Sequence, residues 1–382
     1  MSMHEIRNRR DRLLAMSADI ALRPFAFLVN LLRGGTKALP HHSGAQRVLI
    51  MRVDNIGDVI MATSLLRGLA KHIFKGAKID LLVRPEAAPL LRNNPYISEV
   101  IPYRGISTIA RVRAGNYDVA IEPRGDIRYI FFLFLAGIKR RVGFDRAGGA
   151  YMLTDVVPYK SGMPLAARNT QIVKYFDNEA RAEPHAELFE TETGTKEADE
   201  LLKAIDARKR KVGIFPCSKF ASKEWEPVKF GLLAKKISDE GFVPAICGSE
   251  SEIEKCGRVA ESSGGSAVNL AGKLSLEGLV SFVKRCDCVI GNDSAPAHIA
   301  AALDVPVIIV SGPMDADIIK PHHRSEDKLR VVFKRLPCSF CNSIKVLPAK
   351  CKGRTTPECL EKIEVDEVFS AFREVAAEIS VK

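Results

Sequence analysis

The chain has 382 residues, 46% of them hydrophobic, and Lys plus Arg outnumber Asp plus Glu by 57 to 46, a formal charge of +11. That length suits two domains of ordinary size, and the composition is that of a soluble globular protein whose basic excess favours anionic partners. Aromatics are only 7% with no Arg/aromatic interleaving, which argues against nucleic acid as a partner, and no uncharged apolar run reaches the ~20 residues that span a bilayer.

Residues 1–45 form a basic extension. Arg7, Arg9, Arg10 and Arg12 precede Leu13, Leu14, Ile20, Leu22, Phe25 and Leu28, the pattern of an amphipathic helix able to lie on an anionic membrane surface. A frayed extension or a helix packed on the body fits the same residues. The apolar run Pro24 to Leu32 is bounded by Arg23 and Arg33, and no small-residue cleavage site follows it, so a signal peptide is not expected.

The first strand is Arg47 to Val53, a short apolar run ended by Asp54-Asn55-Ile56-Gly57-Asp58, as a buried parallel strand reads. A helix is expected from Val59 to Phe74, a strand over Lys78 to Val83, and a helical stretch over Ala87 to Leu91 stopped by Pro95. Further strands are expected at Glu99 to Pro102, Asp118 to Glu122 and Arg141 to Phe144. A polar stretch from Glu190 to Lys211, holding one charged helix, reads as the approach to a second domain. The rhythm then restarts with strands at Val212 to Pro216, Phe242 to Cys247, Ala267 to Asn269, Cys288 to Gly291 and Val305 to Val310. Helices are expected between them at Val228 to Glu240, Ile253 to Ser262, Ser275 to Arg285 and His298 to Leu303. Such alternation predicts an α/β chain with two doubly wound, Rossmann-like domains over 46–190 and 191–382, facing across a cleft in a GT-B-like or dehydrogenase-like arrangement.

Three constellations could carry chemistry. Asn55-Ile56-Gly57-Asp58 turns the first strand into its helix and offers backbone N–H groups and one carboxylate. Asp58 is the natural helix N-cap there, which does not exclude catalysis. No G-x-G-x-x-G or G-x-x-x-x-G-K-[ST] loop is present, so the dehydrogenase and P-loop readings lose their main support. The loop Phe215-Pro216-Cys217-Ser218 to Ser222-Lys223-Glu224-Trp225 carries Lys219 and Lys223, and a lysine at a strand end can neutralise a diphosphate leaving group. In Gly291-Asn292-Asp293-Ser294-Ala295-Pro296-Ala297-His298, Asp293 or Ser294 can cap an Ala-rich helix, with the N–H groups of Ser294, Ala295 and Ala297 free to face an anion. Gly312-Pro313-Met314-Asp315 leaves the next strand nearby.

These regions, Arg47 to Leu66, Lys223-Glu224-Trp225 and Asn292 to Pro313, resemble in order and spacing the motifs of glycosyltransferase family 9, the ADP-heptose lipopolysaccharide heptosyltransferases. The likeness runs from about Gln46 to the C-terminus. It implies an inverting, metal-independent GT-B enzyme that needs no cofactor and uses ADP-heptose as donor. Asp58 matches the family's general base, Lys223 its phosphate-binding lysine, Glu250 the glutamate on the nucleotide ribose, and Asp293 the aspartate near the donor sugar. His298 matches the motif histidine, and Ser294, Ala295 and Gly312 complete the donor set. Many members carry Gly where this chain has Ala295, which bears on how closely backbone approaches the diphosphate. The acceptor implied is the lipopolysaccharide inner core or lipid A, on the N-terminal half. Arg124, Arg128, Lys139, Arg140 and Arg141 are candidates for its acidic groups, each also readable as a surface arginine or lysine. The location implied is cytoplasmic and peripheral, on the inner face of the inner membrane.

Nine cysteines, an odd number scattered through the elements, do not form a secreted disulfide framework. Cys217, Cys247, Cys256, Cys286 and Cys288 read as small buried hydrophobes. Cys338-Ser339-Phe340-Cys341 with Cys351 and Cys359 could hold structural zinc, although the second pair is spaced wider than zinc motifs usually are. Two alternatives therefore stay open: a GT-B transferase with a UDP or GDP donor, and a zinc-stabilised nucleotide-binding interaction protein.

Overall fold

In the computed structural model, the structure describes residues 17, 19–24, 26, 44–203, 205, 208–339, 341, 351, 354 and 356–380. The chain divides into two compact units, one ending at Pro184 and the other beginning at His185. Each is built on a six-stranded, all-parallel sheet.

In the first unit β1 (Arg47–Arg52), β2 (Lys78–Val83), β3 (Glu99–Pro102), β4 (Val119–Glu122), β5 (Arg140–Phe144) and β6 (Asp155–Val157) lie in the order β3-β2-β1-β4-β5-β6. Val48, Leu49, Ile50 and Met51 are all fully buried, because helices cover both faces of a parallel sheet and its strands need apolar side chains on each. The covering elements include α1 (Ile56–Gly68), α2 (Ile109–Ala114), α3 (Ile127–Leu135) and α4 (Leu165–Phe176). The expected helix over 59–74 is α1 continued by a five-residue π turn, Leu69–Ile73.

The second unit repeats the plan. Its strands β7 (Lys211–Phe215), β8 (Val243–Ile246), β9 (Val268–Asn269), β10 (Cys288–Asn292), β11 (Val307–Val310) and β12 (Leu329–Val332) lie in the order β12-β11-β10-β7-β8-β9. Read from the third strand of each unit, the two orders are the same. In both, the direction of winding reverses between the first and fourth strands, β1/β4 and β7/β10, and loops leaving the strand ends on either side of such a reversal form the binding crevice of a doubly wound sheet. Its helices are α5 (Glu192–Leu202), α6 (Pro227–Asp239), α7 (Ile253–Ser262), α8 (Leu276–Lys284), α9 (Ala295–Ala302), α10 (Ala316–Ile319), α11 (Glu358–Glu361) and α12 (Val365–Ser380).

The polar stretch 190–211 is more than an approach to the second domain. A Cβ on Gly194 would meet the Glu277 backbone, and one on Gly278 would meet the Glu197 carboxylate, so α5 packs closely on α8. The Ser275 amide donates to Glu197 at 2.5 Å, and Arg285 joins Glu190 at 2.6 Å and Asp199 at 2.7 Å. Those ion pairs attach Glu190 to the second unit. At the C-terminus, Val368, Phe372 and Val375 of α12 join Val212, Ile214, Trp225 and Ile290 in one buried core.

Most of the basic N-terminal segment lies outside the described residues, including Arg7 to Leu14, Phe25 and Leu28. The described part is helical, and it packs on the first unit. Ala26 is buried with Ile127, Ile130, Phe134 and Met152. Asp19 accepts from the Gly149 amide at 2.6 Å, and its carbonyl accepts from the Tyr151 hydroxyl at 3.0 Å.

Candidate active site

In the first unit the turn after β1 carries the expected carboxylate, placed differently from a cap. Asn55 is the residue that precedes α1, its carbonyl accepting from the Val59 amide at 3.1 Å, and Asp58 lies inside the first helical turn. The N-cap assignment of Asp58 is therefore corrected. An acidic residue in a first turn is still favoured by the helix dipole. The Asp58 side chain is 29% exposed, and its Oδ1 lies 3.7 Å from Arg52 Nη2.

Around it stands a group of charges that periodicity does not reveal. Arg52, the last residue of β1, is buried, with Nε 3.1 Å from Asp54 Oδ2. Asp54 also pairs with Arg124, which leaves β4 across the strand-order reversal. Arg124 Nε lies 3.8 Å from Asp126, and Asp126 accepts two bonds from the Arg128 guanidinium, at 2.9 and 2.7 Å. Glu122, at the end of β4, is buried and accepts from the amides of Gly125 at 2.5 Å and Asp126 at 3.1 Å. Burial and the Asp126 charge push its carboxyl up to about 8. Gly125 has φ +70°, and a Cβ there would fall 2.7 Å from the Phe144 carbonyl oxygen, so this turn requires glycine.

Of the basic residues expected to face an acceptor, Arg124 and Arg128 take part in these ion pairs, and two more are fully enclosed. Arg141 is buried and donates to the backbone carbonyls of Met152 and Ile138. Arg140 is buried against Asp155 at 2.8 Å. Both are structural, since a guanidinium inside a sheet must find acceptors. Lys139 and Arg128 are exposed, and Arg124 is partly so.

In the second unit the β7 and β10 ends bring two expected residues together: Lys223 Nζ ion-pairs with Asp293 Oδ2, with both side chains largely buried. The loop carrying Lys223 is held at several points. Asn292 donates to the Pro216 carbonyl at 2.7 Å and accepts from the Trp225 amide at 2.9 Å. Glu224 accepts from the Ser218 amide at 2.8 Å and from Lys255 at 2.6 Å. Trp225 is fully buried, packs edge-on to Phe230, and donates through its indole N–H to Ile363 O at 3.0 Å. A Cβ on Gly291 would fall 2.8 Å from the Phe215 carbonyl oxygen, so glycine lets β10 and β7 approach where the crevice forms.

Ser294 occupies the N-cap position of α9, but neither it nor Asp293 caps through its side chain. The Ser294 hydroxyl is buried and without a hydrogen-bond partner. The Ala297 amide turns back to the Ser294 carbonyl at 3.2 Å. That corrects its expected role as an anion donor and leaves the amides of Ser294 and Ala295 as candidates. His298 is buried one turn further on. Glu250 is exposed at the start of the turn after β8. Gly312 follows β11, where a Cβ would fall 2.7 Å from Leu360, so packing alone explains that glycine.

The cysteines Cys338 and Cys341 are partly exposed, while Cys351 and Cys359 are buried. Burial and the neighbouring thiols of Cys341, Cys351 and Cys338 push Cys359 up to about 11. Among the described residues, no group of three or more His, Cys, Asp or Glu side chains is arranged to hold a metal ion. No helix among them is long and apolar enough to cross a membrane.

Sequence reasoning passed over Arg52, Asp54, Glu122 and Asn292 as site residues. The available signal was an arginine inside an apolar run, between Met51 and Val53.

Known proteins share this plan. A profile described as glycosyltransferase family 9 (heptosyltransferase) matches residues 106–345, well over half the chain. That span includes Lys223, Glu250, Asp293, His298 and Gly312 and begins after Asp58. Lipopolysaccharide heptosyltransferase 2 of Salmonella typhimurium is 25% identical over 311 residues, covering 75% of this chain and 88% of that protein. The solved structure of Escherichia coli ADP-heptose lps heptosyltransferase II superposes with a TM-score of 0.71 at 20% identity, covering 87% of this chain and 99% of that one. A glycosyltransferase family 9 structure from Veillonella parvula gives 0.76 at 18% identity, covering 89% and 99%.

Proposed function

The chain belongs to glycosyltransferase family 9, and from that premise we propose that it transfers heptose from ADP-heptose to a lipopolysaccharide inner-core or lipid A acceptor, with inversion and without a metal. The observation that carries this reading is the Lys223–Asp293 pair at the β7/β10 reversal. A buried ammonium at strand ends beside a helix N-terminus suits a diphosphate whose charge grows as the glycosidic bond breaks. Lys223 would supply the positive charge that a cation supplies elsewhere.

In this mechanism the Asp58 carboxylate accepts the proton of the acceptor hydroxyl as its oxygen attacks the anomeric carbon. The bond from that carbon to the diphosphate oxygen breaks, and ADP leaves with the electron pair. Lys223 and the amides of Ser294 and Ala295 stabilise the departing charge. Glu250 holds the ribose, Asp293 and His298 lie beside the donor sugar, and Gly312 borders the same pocket. Arg124 and Arg128 meet acidic groups of the acceptor. The enzyme works on the cytoplasmic face of the inner membrane, as the basic N-terminal segment favours.

Calorimetric titration with ADP, UDP and GDP tests the donor. ADP should bind most tightly; a clear preference for UDP or GDP would overturn the ADP-heptose assignment.

A further inference from the structure

We propose that Arg52 is a positioning residue for Asp58, the next-to-last member of a chain of alternating charges that aims this carboxylate. The proposal rests on the reading of Asp58 as general base.

The ion pairs run Arg128, Asp126, Arg124, Asp54, Arg52, Asp58. Three guanidinium groups alternate with three carboxylates. The two ends are open, Arg128 at 69% and Asp58 at 29% side-chain exposure, while Asp54 and Arg52 in the interior stand at 6% and 3%. Asp54 is shared by Arg52 and Arg124, so it neutralises Arg52 only in part, and Arg52 has one further carboxylate in reach, Asp58. Asp58 meets Arg52 through Oδ1, and its Oδ2 has no ion-pair partner among the described residues. Oδ1 thus faces Arg52 at ion-pair distance, 3.7 Å, while the other oxygen can receive a proton.

Arg52 is costly for the fold. It ends a strand whose preceding residues Val48 to Met51 are fully buried and lies in register with Val83 of β2. Its Nη1 is buried with no hydrogen-bond partner. An apolar side chain would be easier to bury at this position, so the guanidinium is explained by what it does to its neighbours. Its planar fork reaches Asp54 and Asp58 from one rigid group, which a lysine cannot do. The charges acting on Asp58 are Arg52 on β1 and Arg124 beyond β4, with Asp54 paired to both guanidinium groups.

The test is kcat and KM, measured separately, with ADP-heptose and a lipid A-type acceptor, for the full chain and for Arg52→Met, Arg52→Lys, Asp58→Asn and Arg52→Met/Asp58→Asn. Arg52→Met should lower kcat about 10-fold or more through misplacement of the base, with KM for ADP-heptose unchanged. Arg52→Lys keeps the charge but loses the fork, so kcat should still fall, with KM for ADP-heptose again unchanged. The double variant should be no slower than Asp58→Asn alone, because both changes act on one group. An unchanged kcat in a folded Arg52→Met would overturn the proposal while leaving the base intact. If Arg52→Met does not fold, a wild-type kcat in Arg52→Lys overturns it. Near-wild-type turnover in Asp58→Asn is the separate result that removes the base itself.

Discussion

Glu122→Gln should remove a pH dependence of stability that the fold imposes. Glu122 is buried at the end of β4, with its carboxyl pushed up to about 8 by burial first and by the Asp126 charge second. In an unfolded chain a glutamate releases its proton near pH 4.5. Between these values the native state holds a proton that the unfolded chain has lost, so stability falls as pH rises through the window and levels off above about 8. Each unit corresponds to ~1.4 kcal/mol, so a shift from 4.5 to about 8 amounts to a loss on the order of 4–5 kcal/mol. In a chain of this size that is roughly 5–6 °C in melting temperature. Gln can still accept from the Gly125 and Asp126 amides, and it carries no charge at any pH. The assay is calorimetric melting of both proteins from pH 4 to 9. The variant should match the wild type near pH 4 and exceed it increasingly toward pH 8. Parallel curves would show that Glu122 does not titrate in this window, and the reasoning from its burial would fail.

Asp58→Asn should reduce kcat roughly 10²-fold or more, as loss of a general base does, with melting temperature and donor affinity near wild type because Asp58 does not cap α1; turnover near wild type would move the base elsewhere, with Asp293 the next candidate. Lys223→Ala should weaken ADP far more than adenosine, since a charge-assisted phosphate contact contributes on the order of 1.5–3 kcal/mol; equal losses in titration would show that Lys223 does not touch phosphate. Asn292→Ala leaves the Pro216 carbonyl and the Trp225 amide without their partner, at about 1–3 kcal/mol for each buried group. A melting temperature unchanged in that variant would show that the Lys223 loop does not depend on Asn292.

The strands around both crevices were legible because a parallel sheet covered on both faces needs uninterrupted apolar runs, and turn residues bound each run. The helix α3 (Ile127–Leu135) was not, since Ile-Arg-Tyr-Ile-Phe-Phe-Leu-Phe-Leu is as apolar as a strand, and only the Asp126 side chain accepting from the Arg128 amide marks its start. The three-residue β6 offers no periodicity at all. Arg140 and Arg141 read as ligand-facing because sequence shows their charge and not Asp155 or the backbone carbonyls that absorb it. Lys223 and Asp293 were each singled out as motif residues, but their pairing is tertiary: it follows from strand order, which sets β7 beside β10. The ion pairs that lead to Asp58 were hidden for the same reason, because β1 and β4 are neighbours in space and some 70 residues apart in sequence.

The most direct test is transfer itself: the purified chain incubated with ADP-heptose and a lipid A-type inner-core acceptor, the product followed by mass and its new linkage by NMR. One heptose should be added, with ADP released and the anomeric configuration inverted, and UDP- or GDP-sugars should give no product. Transfer from a UDP- or GDP-sugar but not from ADP-heptose, or a product with retained configuration, would contradict heptosyl transfer by an Asp58-assisted displacement.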